Sequence, residues 1–270
     1  MLGLLYLPLL GLLALVIVMI AAWARQRTTR NAGVVDVIWT ASIGALALVY
    51  AGLAGGWLPR RLLVAVLVGA WSLRLTLHLA RRVGSEAEDG RYRAMRTSMG
   101  EGIDRFLFWF FQAQALLAVL LSLVFLVLCA ASDAGWRATD ALAVLLWVTA
   151  LVGESIADRQ LARWRSDPAN RGRTCRAGLW RYSRHPNYFF EWLNWLVYPL
   201  LGIGLPYGWS LWLAPAAMLL FVLKVTGIPP TEEQALKSRG DDYREYQRTT
   251  NAFFPGPPRA QTVERSLETR

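Results

Sequence analysis

A short stretch of the sequence, GLWRYSRHPNYFFEWLNW at Gly178–Trp195, places cations immediately before polar side chains in an otherwise apolar run. Ser183 can cap a helix here, and Arg181, Arg184 and His185 stand at its expected start. A helix N-terminus offers free backbone N–H groups and a partial positive charge. These residues therefore predict a binding site for an anion with several phosphate oxygens.

Polar side chains continue along one face of the same predicted helix. Asn187, Glu191 and Asn194 are spaced i, i+4 and i+7, and Tyr198 extends the face. Polar side chains buried in a membrane are costly, and they usually face a cavity or one another. The stripe therefore indicates a ligand site, and the alternative is that it only holds helices together.

A second polar pattern precedes this stretch. Glu154 and Asp158 are four residues apart on one helix face, and Arg165, Arg171 and Arg173 follow them. Carboxylates accept hydrogen bonds from ribose hydroxyls or amide groups, and a guanidinium binds phosphate through two parallel bonds. We expect this division of roles here; an ordinary ion pair between Asp158 and a nearby arginine is the alternative.

Ionisable residues also lie in apolar runs of the N-terminal half. Arg74 and His78 are four residues apart and share a helix face, and Asp36 belongs to the preceding run. Together these groups could polarise a carbonyl, while for His78 the alternative is a hydrogen bond that packs two helices. Metal binding is not expected, because the two histidines, His78 and His185, have no paired ligand spacing.

Transmembrane helices must position these residues. The chain has 270 residues, 55% of them hydrophobic, and apolar stretches of about 20 residues recur along it. We predict an all-α integral membrane protein with about seven transmembrane helices in one bundle. The expected spans are about 2–23, 33–54, 61–80, 106–131, 139–160, 186–204 and 209–228.

The basic residues predict the orientation of these spans. Of the 29 lysines and arginines, 25 fall in loops and termini on one side. The other side holds Arg60, Arg61 and Arg137, and Arg74 lies within a span. We therefore expect the N-terminus outside and the C-terminus in the cytoplasm. The protein would be a multi-pass protein of the cell inner membrane, with a cofactor site that faces the cytoplasm.

Several segments resemble a known family. The motifs GLWRYSRHPNYFFEWLNW, DRQLARWRSDPANRG and EEQALKSRGDDYREYQRTTNAFFP look like those of a bacterial membrane family of unknown function grouped with the steroid 5-alpha-reductases. VVDVIWTASIG and WSLRLTLHLARR…EDGRY resemble that family's N-terminal half, so the likeness covers nearly the whole chain. The C-terminal half also resembles the isoprenylcysteine carboxyl methyltransferases, in the HPNY-type helix start and the EE…Y..Y tail. Those methyltransferases bind S-adenosylmethionine, whereas the reductases bind NADPH.

The resemblance to the reductases implies roles at a bound NADPH. Their cofactor-binding asparagine and glutamate correspond to Asn187 and Glu191, their aspartate to Asp158, and their phosphate-binding arginines to Arg165 and Arg173. The whole implied cofactor-binding set is Glu154, Asp158, Arg165, Arg171, Arg173, Tyr182, Arg184, His185, Asn187, Tyr188, Glu191, Glu233, Tyr243, Tyr246 and Arg248.

The catalytic residues correspond less directly to those of the reductases than the cofactor-binding residues do. The tyrosine and glutamate that are catalytic in the animal reductases have no clean counterpart, and the equivalent region offers Asp36, Arg74, His78 and Tyr92. Phe190 stands where the reductases usually have a small residue before the glutamate, and it could narrow the nicotinamide end of the pocket.

We expect a single domain over residues 1–260. Within it, 1–131 would supply the substrate-side helices and 139–258 would form the cofactor-binding C-terminal half, followed by a flexible tail, 261–270. In the C-terminal half, Thr231 is expected to cap a helix, with Gln234 completing a capping box and Gly240 ending the helix.

The resemblance implies a membrane-embedded NADPH-dependent reductase. Its substrate would be a steroid-like or other lipid molecule with a carbon–carbon double bond conjugated to a carbonyl, entering from the bilayer. The eight arginines of 159–185 favour a phosphorylated dinucleotide over S-adenosylmethionine, which carries no phosphate. The alternatives are an S-adenosylmethionine-dependent methyltransferase of a lipid or prenyl substrate and a non-catalytic lipid-binding membrane protein. No nucleic-acid partner is expected, and the sequence does not predict the oligomeric state.

Overall fold

The structure, a computed structural model, describes residues 2–85 and 87–259. Regular elements in this part of the chain are all helical, which confirms the predicted all-α class. The predicted flexible tail, 261–270, lies outside the described residues. The α-helices are α1 (Tyr6–Thr29), α2 (Val34–Leu53), α3 (Leu58–Ser85), α4 (Gly90–Met99), α5 (Ile103–Ala130), α6 (Ala138–Ser166), α7 (Pro186–Leu201), α8 (Leu213–Leu220), α9 (Ile228–Arg239) and α10 (Asp241–Thr249).

Six helical segments of the described chain are long and apolar enough to cross a membrane, where the sequence predicted about seven. The difference lies at the predicted span 186–204, because α7 has only 16 residues. At 1.5 Å per residue α7 is about 24 Å long, which is less than the roughly 30 Å of a hydrocarbon core. A tight turn follows α7, and a Cβ on Gly208 would lie 1.9 Å from the carbonyl oxygen of Gly202. The six segments are Tyr6–Thr29, Val34–Leu53, Leu58–Ser85, Gly90–Ala130, Ala138–Ser166 and Gly208–Arg239.

The chain divides into two compact units. Unit 1 contains the residues up to Trp147 together with Trp195–Ala216. Unit 2 contains Val148–Asn194 together with the described chain from Ala217 to Arg259. The residues predicted to be catalytic therefore belong to unit 1, and those predicted to bind a cofactor belong to unit 2.

In unit 1, α2 packs closely against α3 and α5 through small and hydroxyl-bearing residues. A Cβ on Gly44 would lie 2.2 Å from the Oγ of Ser72, so the α2–α3 crossing requires glycine. The Ser72 hydroxyl also donates a hydrogen bond of 2.9 Å to the carbonyl of Thr40. Between α2 and α5, the hydroxyls of Tyr50 and Ser122 are 3.1 Å apart. Close approach of this kind is how helices associate in lipid, where apolar burial alone gives little preference for helix contact over lipid contact.

A buried ion pair joins three helix ends in unit 1. Arg60 and Asp140 are both buried, with 0% and 3% exposure, and their Nη1 and Oδ1 atoms are 3.0 Å apart. The same Arg60 nitrogen donates to the carbonyl of Leu201 at 2.9 Å. Asp140 in turn accepts the backbone N–H of Arg137 at 2.9 Å. These bonds link the start of α3, the start of α6 and the end of α7.

In unit 2, α9 begins earlier than the sequence predicts. It starts at Ile228 with two prolines in its first turn, a position that suits proline because no intrahelical N–H bond is needed there. The predicted N-cap, Thr231, is therefore wrong, since this residue lies inside the helix and its hydroxyl donates to the carbonyl of Gly227 at 2.7 Å. The predicted stop is confirmed, because α9 ends at Arg239 and is capped by Gly240, whose φ is +54°.

Removing one charge of the buried ion pair should strongly destabilise the protein. Arg60→Met would leave Asp140 as an uncompensated buried carboxylate, and we expect a loss of about 3–5 kcal/mol. Changing Asp140→Asn as well should recover much of that loss, because no charge then stays buried. Thermal unfolding in detergent measures both effects, with Arg61→Met as control because Arg61 donates to neutral backbone carbonyls of α2. Equal unfolding temperatures for Arg60→Met and Arg61→Met would contradict the prediction.

Candidate functional site

The structure brings the two polar patterns of the sequence together in unit 2. The Nδ2 atom of Asn187 on α7 lies 3.5 Å from Oδ1 of Asp158 on α6. Glu154 lies one turn before Asp158 on α6 and is buried, and Asn194 on α7 is buried as well. Glu191 lies between the two asparagines on the same side of α7. These five residues are called the polar face below.

A glycine allows α6 and α7 to approach closely here. A Cβ on Gly153 would lie 2.3 Å from Cε1 of Phe190, so the phenyl ring packs directly on the backbone of α6. Phe190 is the bulky departure from the reductase pattern, and its ring is directed at Gly153. The contacts Gly153–Phe190 and Asp158–Asn187 show that the two helices run antiparallel. Asn194 therefore lies further from the connecting loop than the Asp158–Asn187 contact does.

Exposed arginines lie in the loop between these helices. Arg171 and Arg173 are exposed, and neither pairs through its side chain with another described residue. Arg165 is also exposed, at the end of α6. A guanidinium that no protein carboxylate neutralises is available to an external anion, and phosphate matches its planar donor geometry.

Contacts with α10 hold this loop in place. The backbone N–H of Thr174 donates to Asp242 Oδ2 at 2.7 Å. The guanidinium of Arg176 lies 3.1 Å from carboxylate oxygens of both Asp242 and Glu245. The loop therefore contains two classes of arginine, one bound to α10 and one directed to the outside.

Glu232 on α9 is the acceptor for four side chains of unit 2. Its carboxylate accepts from Arg184 Nε at 2.6 Å and from Gln247 Nε2 at 2.7 Å. His185 Nε2 lies 3.1 Å away, and the hydroxyl of Tyr243 donates at 3.3 Å. The four residues come from the segment before α7 and from α10, so a single carboxylate joins three parts of the chain.

The resemblance implied a cofactor-binding role for Glu233. In the structure, its neighbour Glu232 makes the buried contacts instead. Glu233 has a side chain 67% exposed and pairs with Lys237, whereas the Glu232 side chain is 13% exposed. The sequence shows two adjacent glutamates and does not distinguish them. The available signal is helical spacing, since Glu232 lies three residues before Ala235, whose side is buried.

Several other residues expected at the cofactor contact the protein itself. Arg184 donates to the carbonyls of Gln247 and Thr250, besides Glu232. The hydroxyl of Tyr246 donates to the carbonyls of Trp180 and Ser183. These bonds hold the start of α7 against α10. The roles of Arg184 and Tyr246 toward a cofactor stay predictions.

Burial shifts the titration of this cluster. It lowers the pKa of His185, against the opposing effect of the nearby Glu232 carboxylate, so the neutral imidazole is favoured. Burial also raises the pKa values of Tyr243 and Tyr246, which keeps both phenols protonated. The cluster therefore works as a set of hydrogen-bond donors around one carboxylate.

The remaining residues of the expected cofactor set lie around this cluster. Tyr188 has its hydroxyl 3.3 Å from Thr231 Oγ1 and its ring stacked on His185 at 5.3 Å. Tyr182 and Arg248 are exposed. The structure therefore places these side chains on unit 2, at its surface or within the cluster around Glu232.

The chain after α10 crosses the start of α7. The backbone N–H of Arg184 donates to the carbonyl of Asn251 at 2.9 Å, and the Ser183 hydroxyl donates to the carbonyl of Phe253 at 2.8 Å. The ring of Phe253 packs edge-on against Phe189 at 5.8 Å. The HPNY helix start is thus covered by the protein's own C-terminal segment.

In unit 1, the structure brings together two residues of the expected catalytic set that are 56 positions apart. The Tyr92 hydroxyl donates to Asp36 Oδ1 at 3.0 Å. Arg91 lies 3.5 Å from the other oxygen of the same carboxylate. Arg91 and Arg82 also pair with Asp89, which caps α4. Although burial alone would raise it, Arg91 holds the pKa of Asp89 at about 2.

The rest of the expected catalytic set lies on α3. Arg74 and His78 are half-buried, four residues apart. A small cavity beside Asp36 is lined from α3 by Leu79 and Arg82. Its volume of about 20 Å³ is room for one water molecule. The carboxylate–phenol pair of Asp36 and Tyr92 is therefore next to a water-sized space.

Comparison with known proteins places the chain in a family. Over residues 22–250 the sequence matches the family described as "Protein of unknown function (DUF1295)". The chain belongs to this family. DUF1295 is of the steroid 5-alpha-reductase-like type, in agreement with the motifs.

A relative of this DUF1295 member carries no stated activity. An uncharacterized protein of the yeast Schizosaccharomyces pombe is 29% identical to it over 276 residues, which covers 91% of this chain and 78% of that protein. No solved structure matches the chain.

Glu232 and Glu233 offer a matched pair of variants. Glu232→Gln removes the charge that Arg184 faces in a largely buried setting, and we expect it to destabilise the protein by about 3 kcal/mol. Glu233→Gln, at an exposed position, should change stability by less than about 0.5 kcal/mol. Thermal unfolding in detergent and protease cleavage of the chain after α9 measure both. Similar unfolding and cleavage of the two variants would show that Glu232 does not hold unit 2 together.

Proposed function

We propose that this DUF1295 protein is a membrane-embedded NADPH-dependent reductase. Its substrate is a steroid-like or other lipid molecule with a carbon–carbon double bond conjugated to a carbonyl. The observation that carries the proposal is in unit 2. There, a face of carboxylates and amides, buried at Glu154, Asp158 and Asn194, adjoins a loop. Arg171 and Arg173 of that loop have no side-chain partner among the described residues.

The residues of unit 2 fit the chemical groups of NADPH. Arg171 and Arg173 supply cations for its phosphates. Glu154, Asp158 and Glu191 supply carboxylate acceptors for ribose hydroxyls. S-adenosylmethionine has no phosphate, so it would leave the two arginines without a role. This difference favours the reductase over the methyltransferase.

We assign the polarisation and protonation of the substrate to the Asp36–Tyr92 pair. NADPH, when bound, would supply the hydride for the β-carbon of the conjugated double bond. Tyr92 can exchange its acceptor, Asp36, for the carbonyl oxygen of the substrate and polarise it, then deliver its proton to the enolate oxygen. The enol then tautomerises to the ketone, and the Tyr92 phenolate regains its proton from water. Asp36, held by Arg91, keeps the phenol hydroxyl in position and accepts its hydrogen bond between turnovers.

The distribution of basic residues supports a particular location. Twenty-five of the 29 lysines and arginines lie in loops and termini on one side of the predicted spans, including the loop of Arg171 and Arg173. We place this side in the cytoplasm, where NADPH is available, and the protein in the inner membrane of a bacterium. The substrate enters from the bilayer.

The nucleotide that copurifies with the protein tests the proposal. Mass spectrometry of the denatured protein, purified in mild detergent, should detect NADP(H). S-adenosylmethionine or its homocysteine product would support the methyltransferase instead. Absence of both, together with no measurable NADPH binding, would favour a non-catalytic lipid-binding protein.

Arg173→Ala should weaken NADPH binding. Loss of one charge-assisted bond to phosphate corresponds to about 1–3 kcal/mol, and the affinity of the parent protein should fall as salt increases. Isothermal titration in detergent measures the dissociation constant. Arg105→Ala, at an exposed arginine of unit 1, is the control for a simple loss of charge. Equal weakening by both variants would remove Arg173 from the site.

Tyr92→Phe should slow reduction sharply without changing the affinity for NADPH. The variant keeps the ring but lacks the hydroxyl that polarises the carbonyl, so we expect turnover to fall by about 10²–10⁴-fold. The assay is NADPH oxidation with a 4-ene-3-keto steroid in detergent, and NADPH affinity is measured beside it. Unchanged turnover would mean that another group donates the proton.

A further inference from the structure

Asn194 on α7 has a side chain that the protein leaves unsatisfied. The residue is 2% exposed, and both its Oδ1 and Nδ2 atoms are buried without a hydrogen-bond partner in the described part of the chain. A buried amide without partners is destabilising by about 1–3 kcal/mol, more in an apolar setting. A residue of leucine size and shape would avoid that cost at this position.

The depth of Asn194 distinguishes it from the other residues of the polar face. It lies seven residues after Asn187 on the same side of α7, which is about 10 Å further from the arginine loop. The antiparallel contacts Gly153–Phe190 and Asp158–Asn187 put Asn194 beyond the Asp158–Asn187 contact along the helix pair. The amide of Asn194 therefore lies further from the arginine loop than the Asp158 carboxylate does.

The chemistry of the amide defines what can satisfy it. It presents N–H donors and a carbonyl acceptor side by side, so its complement is a planar group with an acceptor and a donor in the same arrangement. A phosphate or a carboxylate offers only acceptors, and an acyl chain offers neither. NADPH contains two matching groups, the carboxamide of nicotinamide and the amino edge of adenine.

We propose that Asn194 binds the carboxamide of the nicotinamide ring and so selects and orients the reactive end of the cofactor. This inference rests on the proposed function. The adenine end of NADPH carries the additional phosphate, which belongs with Arg171 and Arg173 in the loop. The uncharged nicotinamide is the end that must reach a lipid substrate, and it therefore lies at the deeper amide.

Two cofactor analogues and one variant test the assignment. In the reduced 3-acetylpyridine analogue of NADPH a methyl ketone replaces the carboxamide and removes its donors, and in the hypoxanthine analogue the adenine amino group is lost. The parent protein should bind the acetylpyridine analogue about tenfold more weakly than NADPH, the scale of one hydrogen bond. Asn194→Leu should bind NADPH about tenfold more weakly and no longer distinguish it from the acetylpyridine analogue. Parent and variant should discriminate equally against the hypoxanthine analogue.

Stability without ligand is a second readout. Asn194→Leu should unfold at the same temperature as the parent protein or higher, because it removes an unsatisfied buried amide. Asn194→Ala serves if the leucine variant does not fold, and it should lose the same discrimination.

Each contrary result has a definite meaning. If the parent protein does not bind NADPH, the proposed function fails, and this inference fails with it. If the parent binds NADPH and Asn194→Leu binds it equally, only the inference is overturned. Lost discrimination against the hypoxanthine analogue would assign the amide to adenine. A sharp loss of stability in both variants without ligand would make Asn194 a structural residue. Assignment of the amide to adenine, or of Asn194 to a structural role, would each overturn the inference.

Discussion

The bond between Glu232 and Arg184 is the contact on which the architecture of unit 2 depends. A carboxylate and a guanidinium, 13% and 11% exposed, lie 2.6 Å apart, so neither is stable without the other. Glu232 comes from α9, Arg184 from the segment before α7, and Gln247 brings α10 to the same carboxylate. Three segments that are distant in sequence thus meet at one charge, and the start of α7 is oriented by that meeting.

The orientation of α7 then positions the polar face. Gly153 lets α7 approach α6 to within contact of the Phe190 ring, and Asn187 reaches Asp158 across the same interface. Polar residues deep in an apolar helix pair are tolerated when they have partners or a ligand. The unit therefore combines a satisfied polar cluster around Glu232 with a polar face in which the buried amide of Asn194 has no hydrogen-bond partner among the described residues, and that amide favours a ligand there.

The sequence predicted the helices and many residues of the candidate site better than the contacts between those residues. Apolar runs predicted all six long helical segments and placed both ends of four of them within about six residues, because these runs are bounded by charges or turn residues. The length of α7 was overestimated, since the turn at Gly202 and Gly208 is as apolar as the helix. The Asp36–Tyr92 bond joins residues 56 positions apart, and no local pattern predicts such a pair. Glu232 could not be separated from Glu233 because their difference lies in which side of α9 is covered.

The arginines of the loop fall into two groups, those paired with carboxylates of the protein and those open to an external anion. Arg176 and Arg184 are held by carboxylates of α9 and α10, so they contribute to folding and present little charge to the outside. Arg171 and Arg173 have no such carboxylate within the described chain, and their charge is the part that an anion encounters. The formal net charge of +10 does not by itself indicate a nucleotide site, because a positive cytoplasmic rim is ordinary for a membrane protein. The position of these two cations favours a nucleotide. They lie at the loop end of a helix pair that carries buried carboxylates, and the unsatisfied amide of Asn194 lies further along the same pair.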